Sequence, residues 1–223
     1  MINNLPARWD YEADVVSVGS GLGGLAAAIA ACENGASAIV LEKTDKLGGI
    51  TALSVGECWI PGNHIAEQIG IQDSAESGYR YLSRLALGYN DDRMTLNYAV
   101  NARAALKWFE EKIGLRMLVI EGCPDYYFRH NNDAIGHGRM LECEPFDGAT
   151  LGEWQEKTRV SHLTPYGMMH PEFYGRGGSC NMANWDYGPM AERLMQDQRC
   201  LGSGLAAYFV KGALDRGIPL MTG

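Results

Sequence analysis

The chain has 223 residues, a formal net charge of −8 and 46% hydrophobic residues. That length supports one or two domains around a sizeable core. The acidic balance argues against a nucleic-acid partner, because holding phosphates needs a basic surface, and reads as ordinary solubility.

The first residues, "MINNLPARWDYEADV", contain no apolar core and no twin arginine, so they do not read as a signal peptide. The longest apolar-plus-glycine stretch, Gly21 to Cys32, is too short and glycine-rich to predict a transmembrane segment. Six cysteines without a Cys-x-x-Cys pair read as reduced thiols, so a cytoplasmic enzyme is expected. Asp14 to Val18, "DVVSV", predicts a buried strand. Leu25 to Asn34 predicts an alanine-rich helix with Gly35 as its stop, and Ser37 to Lys43 a second strand. This β-turn-α-β order is the unit of a parallel sheet.

Gly19, Gly21 and Gly24 in "VGSGLGGLA" form a G-x-G-x-x-G pattern between that strand and that helix. The three glycines serve different ends, namely a tight turn, close approach of a pyrophosphate, and close helix–strand packing. Glu42, about twenty residues on, closes the second strand where a carboxylate accepts from a ribose diol. The turn alone is compatible with NAD or FAD. The second glycine pair, Gly48-Gly49, followed by Thr51 and Ser54, offers donors further along a long cofactor and favours FAD.

Downstream, Asp45 to Asn63 is irregular. Helices are predicted over Ala75 to Ala86 and over Met94 to Ile113, where Leu96, Val100, Ala104 and Trp108 recur at helical spacing. Residues 114–190 are mixed and rich in Gly, Pro and aromatics. Gly204 to Arg216 predicts an amphipathic helix with its apolar face on the sheet, and Ile218 to Met221 a third strand. His130, His137, His162 and His170 lack metal-ligand spacing and read as loop or surface histidines; no metal site is expected.

The run "GSGLGGLAAAIAA…LEKTDKLGGITALSVG" resembles the fumarate reductase/succinate dehydrogenase flavoprotein superfamily. "CWIPGN", "GIQDSAESGYRYL", "PDYYF" and "GRMLECEPFDG" are similar to its 3-ketosteroid Δ1-dehydrogenase branch. The resemblance spans most of residues 13–152 and resumes from about residue 199. It implies that Gly19, Ser20, Gly21 and Gly24 hold the pyrophosphate, and that Glu42 holds the adenosine ribose with Lys43 beside it. Gly48, Gly49, Thr51, Ala52, Leu53, Ser54 and Gly56 would line the ribityl chain and one flavin edge; Ile50 stands where the family commonly has a small polar residue. No histidine lies between Gly19 and Trp59, so FAD is expected without a covalent bond.

The resemblance also implies chemistry. In the steroid branch a tyrosine removes a proton next to a ketone while hydride passes to flavin N5. The family's Asp-Tyr pair matches Asp125-Tyr126, which makes Tyr126 the candidate catalytic base. Arg139 is a weaker candidate, read rather as a surface or structural arginine. Residues 159–185 either approach an apolar substrate or cover the core.

The fold expected is α/β: a Rossmann-like FAD-binding parallel sheet with a helical and irregular insertion, incomplete at its C-terminus. Residues 1–223 are expected to be the N-terminal part of a discontinuous FAD-binding domain, without its cap or its C-terminal return. Alone, such a piece is expected to be poorly soluble and inactive. The function expected is FAD-dependent formation of a C=C bond next to a ketone, on a small apolar carbonyl substrate of the 3-ketosteroid type, with the electron acceptor unassigned. Two alternatives stay open: a fumarate-reductase-like enzyme acting on a dicarboxylate, and a non-catalytic FAD-binding subunit.

Overall fold

The computed structural model describes residues 8–164 and 166–223. β1 (Val15–Val18), α1 (Leu22–Glu33) and β2 (Ala38–Glu42) form the expected opening unit. Gly35 stops α1 with φ +82°, a conformation that favours glycine. The helix begins three residues earlier than propensity implies, taking in Gly23 and Gly24. Packing overrides propensity there: a Cβ on Gly24 would lie 2.0 Å from Gly19 O, so the helix can start so close to the strand only with glycine at that position.

After β2 the chain makes an excursion. It contains α2 (Gly49–Leu53), β3 (Cys58–Trp59), α3 (His64–Gln68), α4 (Ala75–Leu85) and α5 (Asp92–Ile113). α4 and α5 match their predicted spans to within two residues at each end. Ser74 and Asp91 explain their starts, since each side chain accepts from backbone N–H groups of the first turn. Gly114, in the left-handed region, ends α5.

Next come β4 (Met117–Val119), β5 (Met140–Cys143), β6 (Phe146–Asp147), α6 (His170–Gly175), α7 (Gly188–Met195) and β7 (Gln198–Arg199). The chain closes with α8 (Leu201–Leu214) and β8 (Leu220–Thr222). β8 pairs parallel with β2, giving the order β1-β2-β8 with Val40 opposite Leu220. The α/β reading with its parallel sheet therefore holds.

Three expectations need correction. The excursion is not only helical and irregular: β3, β5 and β4 form an antiparallel sheet, and β6 pairs with β7. These strands are two to four residues long, too short to display an alternating pattern. α8 is not amphipathic: every residue from Leu201 to Val210 is buried. It packs among α1, α2, α5 and β5 to β7 rather than laying one face on the parallel sheet, and a helix apolar all round belongs in a core. Its small residues permit this, for a Cβ on Gly212 would stand 2.5 Å from Ile113 Cγ2. Finally, β1 is buried on one face only, with Val16 and Val18 52% and 85% exposed.

The core lies between the parallel sheet, α1, α5, α8 and β5. Leu25, Ile29 and Val40 are fully buried there. Each such side chain contributes about 1.5–3 kcal/mol relative to exposure.

Candidate functional site

The three glycines of the first turn sit where they are for three different reasons. Gly19 follows β1 with φ +100°, and its N–H donates to Leu41 O at 2.7 Å. Gly24 is required by the contact with Gly19 O. Gly21 is different. Its φ of −70° suits any residue, and an added Cβ would meet only Thr51 Oγ1, at an ordinary 3.7 Å. The polypeptide itself gives no reason for glycine at 21, so the reason lies in what approaches from outside. Gly21 is the N-cap of α1 and has no side chain of its own to cap it; Thr51 Oγ1 accepts from Leu22 N, and the first turn carries no acid. Thr51 takes one N–H with a neutral hydroxyl, and no carboxylate of the first turn neutralises the positive end of the helix dipole, which favours an anion there.

Glu42 stands beside this turn. Ser20 N and Oγ donate to its Oε2 at 3.0 and 2.6 Å, and Thr44 N and Oγ1 donate to its Oε1, both at 3.0 Å. Partial burial acts to raise the carboxyl pKa, but these four donors outweigh it and hold the pKa at about 2. They occupy all four acceptor directions of the carboxylate. The single Thr44 hydroxyl proton is shared between Glu42 Oε1 and Lys46 O, 2.9 Å away, so it is the most weakly committed of the four donors.

The second glycine loop is locked to the first. Gly48 N donates to Ser20 Oγ at 3.0 Å, Leu22 N donates to Thr51 Oγ1 at 3.0 Å, and a Cβ on Gly49 would lie 3.3 Å from Gly21 N. Gly48 and Gly49 both have positive φ. Ala52 O accepts from Ser203 Oγ, Leu53 O from Ser161 Oγ, and Gly56 fits against the backbone of Gly202. Ser54 Oγ is used locally, donating to Thr51 O and accepting from Gly56 N. Ser20 likewise serves as the link between Glu42 and Gly48, whereas Lys43 and Ile50 are exposed. Gly19 through Gly24, Glu42 and 48–56 are thus tied into one unit, within which Ser20 and Ala52 are fully buried.

Tyr126 is held on the far side of that loop. Its neighbour Asp125 is buried and accepts from Trp59 Nε1 at 2.7 Å, from Ile135 N at 3.0 Å and from Arg139 Nη1 at 2.8 Å. Tyr81 Oη donates to Tyr126 O at 2.9 Å. The backbone is pinned on both sides while the Tyr126 side chain is left 63% exposed. Arg139 is a structural arginine, not a surface one: its side chain is fully buried, paired with Asp73 and Asp125, and lies over the rings of Trp59 and Tyr81. Tyr126 borders a cavity of about 360 Å³ together with Val55, Glu57, His170, Tyr174 and Leu201. Val55 lies in the second glycine loop, and Leu201 begins α8, whose Gly202 packs on Gly56.

Residues 14–223 match the family described as FAD binding domain. The chain belongs to that family. Among curated relatives, it is 32% identical over 163 residues to 4-oxocyclohexanecarboxylate 2-dehydrogenase of Sinomonas cyclohexanicum, covering 73% of this chain and 28% of that protein. It is 34% identical over 145 residues to 3-oxosteroid 1-dehydrogenase of Rhodococcus opacus, covering 65% and 28%. The crystal structure of 3-ketosteroid Δ1-dehydrogenase from Sterolibacterium denitrificans, in complex with 1,4-androstadiene-3,17-dione, superposes with a TM-score of 0.81. That match has 29% identity and covers 94% of this chain and 40% of the other. The chain thus spans little more than a quarter of these curated relatives' length.

The residues present fit FAD. The cradle at Gly21, the acid-free N-terminus of α1, Glu42 and the paired glycine loops supply an anion site, a diol acceptor and close backbone approach. No histidine stands in the loop between Gly19 and Trp59.

One cluster escaped the sequence reading. His170 is buried at the start of α6, not a loop or surface histidine. Its Nδ1 lies 2.9 Å from Glu142 Oε2 and its Nε2 3.1 Å from Glu57 Oε1. Burial lowers its pKa, but the two carboxylates more than reverse this and raise it to about 9. Glu142 is itself fully buried on β5, and its Oε1 has no partner. The one available signal was a lone glutamate within the apolar run "MLEC", since a carboxylate there needs a buried partner. Nothing in the sequence says that the partner is His170.

Proposed function

We propose that this chain is the FAD-holding, substrate-facing part of a dehydrogenase that forms a C=C bond next to the ketone of a small apolar carbonyl compound of the 3-ketosteroid type. The position of Tyr126 carries the reading: a tyrosine with a pinned backbone, exposed in a cavity bordered by the second glycine loop. FAD, when bound, supplies the two-electron acceptor. In this reading Tyr126 Oη takes the proton from the carbon next to the ketone. A free tyrosine has a pKa of about 10, so the role needs neighbours that favour phenolate; among the described residues this cavity holds no lysine or arginine, and Arg129 borders the groove on the other side of Tyr126. Tyr174, on the same cavity, serves differently: burial, with Cys123 and Glu57 nearby, pushes its hydroxyl up to about 12, so it stays a hydrogen-bond donor.

FAD is held without a covalent bond, and the six free thiols fit a reducing, cytoplasmic setting. The relatives' names and the steroid complex support the substrate class. The test is to titrate the FAD-loaded protein with 4-androstene-3,17-dione and follow the flavin absorbance. A saturable spectral shift is expected, with weaker binding in Tyr126→Phe, which lacks the hydroxyl that meets the substrate. A spectrum unchanged up to the solubility limit of the steroid would overturn the proposal.

A further inference from the structure

We propose that the cavity beside Tyr126 is a charge-selective subsite, in which the Glu57–His170–Glu142 cluster admits the neutral ring of a cyclic ketone and rejects a ring bearing a carboxylate. This rests on the function proposed for the chain and adds a specificity determinant to it.

The cluster sets two carboxylates around one imidazole, with contacts of 3.1 and 2.9 Å. Both ring nitrogens are engaged, so His170 keeps no donor for a substrate carboxylate. His170 N also donates to Glu142 Oε2, at 3.1 Å, while Glu142 Oε1 is buried without a partner. Glu57 and His170 border the cavity and Glu142 is buried behind the imidazole, so with the imidazole protonated the cluster carries one carboxylate in excess; loss of that proton adds to the negative charge, so its sign does not depend on it. The rest of the wall offers no compensating charge, only neutral hydroxyls, among them the buried and unpartnered Thr164 Oγ1. Met168, Phe173 and Leu201 are apolar, and among the described residues no lysine or arginine borders the cavity. Arg193 is committed elsewhere, to both oxygens of Glu172 at 2.7 and 2.8 Å and to Gly167 O at 2.9 Å. Arg129 and His130 face a separate open groove, on another side of Tyr126. A carboxylate entering the cavity gives up hydration and meets like charge in a part-buried space, where Coulomb repulsion is weakly screened. A neutral ring meets apolar walls, and its ketone meets the hydroxyls of Tyr126, Thr164 and Tyr174.

The test uses two probes of nearly equal shape, 4-oxocyclohexanecarboxylate and its methyl ester, with the FAD-loaded chain and equilibrium dialysis. The ester is expected to bind at least about tenfold more tightly than the acid, a conservative figure for one unbalanced charge at this depth. E57Q removes one charge and keeps the shape. It should strengthen acid binding about fivefold or more and leave the ester within about twofold, narrowing the ratio as the Coulomb term falls. Raised salt should narrow the wild-type ratio in the same direction. Equal affinities for acid and ester in the wild type would overturn the inference without any variant. So would a ratio that E57Q leaves unchanged. If the steroid ketone shifts the flavin spectrum but acid and ester bind alike, only the charge selection fails. If no ketone binds at all, the proposed function fails with it.

Discussion

Substituting alanine at Gly21 and, separately, at Gly24 distinguishes a glycine needed by the cofactor from one needed by the fold. At Gly24 a Cβ would lie 2.0 Å from Gly19 O and 3.2 Å from its carbonyl carbon. Both are backbone atoms, so no side chain can swing aside, and the helix must move away from β1. Overpacking of this kind costs about 1–3 kcal/mol and more where backbone must shift, so a loss of at least about 3 kcal/mol is expected for Gly24→Ala. At Gly21 the new methyl meets only Thr51 Oγ1 at 3.7 Å, with φ −70° and ψ 174° already allowed. Alanine is a poorer N-cap than glycine by roughly 0.5–1 kcal/mol. Restricting the unfolded chain returns about 0.4–1 kcal/mol. These offset, and the apoprotein should melt within about 0.5 kcal/mol of wild type. The same methyl occupies the approach of the pyrophosphate, and FAD affinity should fall at least about a hundredfold, or about 2.7 kcal/mol. Denaturant unfolding of the apoproteins and FAD titration by flavin fluorescence measure the two quantities. Gly21→Ala with wild-type FAD affinity would show that the turn is a packing device; a large loss of apoprotein stability would show that Gly21 serves the fold.

Other consequences are equally direct. Gly21→Val should lose more flavin than Gly35→Ala, because Gly35 is a helix stop at φ +82° whose substitution costs about 1–2 kcal/mol of stability without touching the cofactor surface; flavin content after gel filtration decides it. Arg139→Met leaves Asp73 and Asp125 buried without their cation and should destabilise the protein by about 3–5 kcal/mol, read from denaturant midpoints, because removing one partner strands the others. His170 has a folded pKa of about 9, above its unfolded value, so the folded state holds the proton more tightly. Its contribution, about 3 kcal/mol at most, is complete below about pH 6.5 and is lost as pH rises through 9; His170→Asn should flatten melting temperature across that window.

The βαβ opening, the glycine turn and its acid were legible from the amino-acid sequence, because each depends on neighbours in the chain. Gly19 needs a positive φ, Glu42 closes the strand after the helix, and the caps of α4 and α5 lie within three residues of the groups they bind. The helix periods of α4 and α5 are equally local. What stayed hidden depends on approach across long sequence separations. Gly24 was legible as a glycine of close packing, but the helix start at Leu22 follows from its contact with Gly19 O rather than from propensity. α8 carries the same glycines and alanines whether it is amphipathic or buried, and only the elements surrounding it make it core. Tyr126 was legible as a motif, yet its exposure beside the second glycine loop follows from Arg139, Asp125 and Tyr81 holding its backbone. Glu57, Glu142 and His170 lie far apart in the chain, on three separate stretches. A buried imidazole between two carboxylates is stable only when all three are brought out of water together, so tertiary structure alone determines where that charge stands.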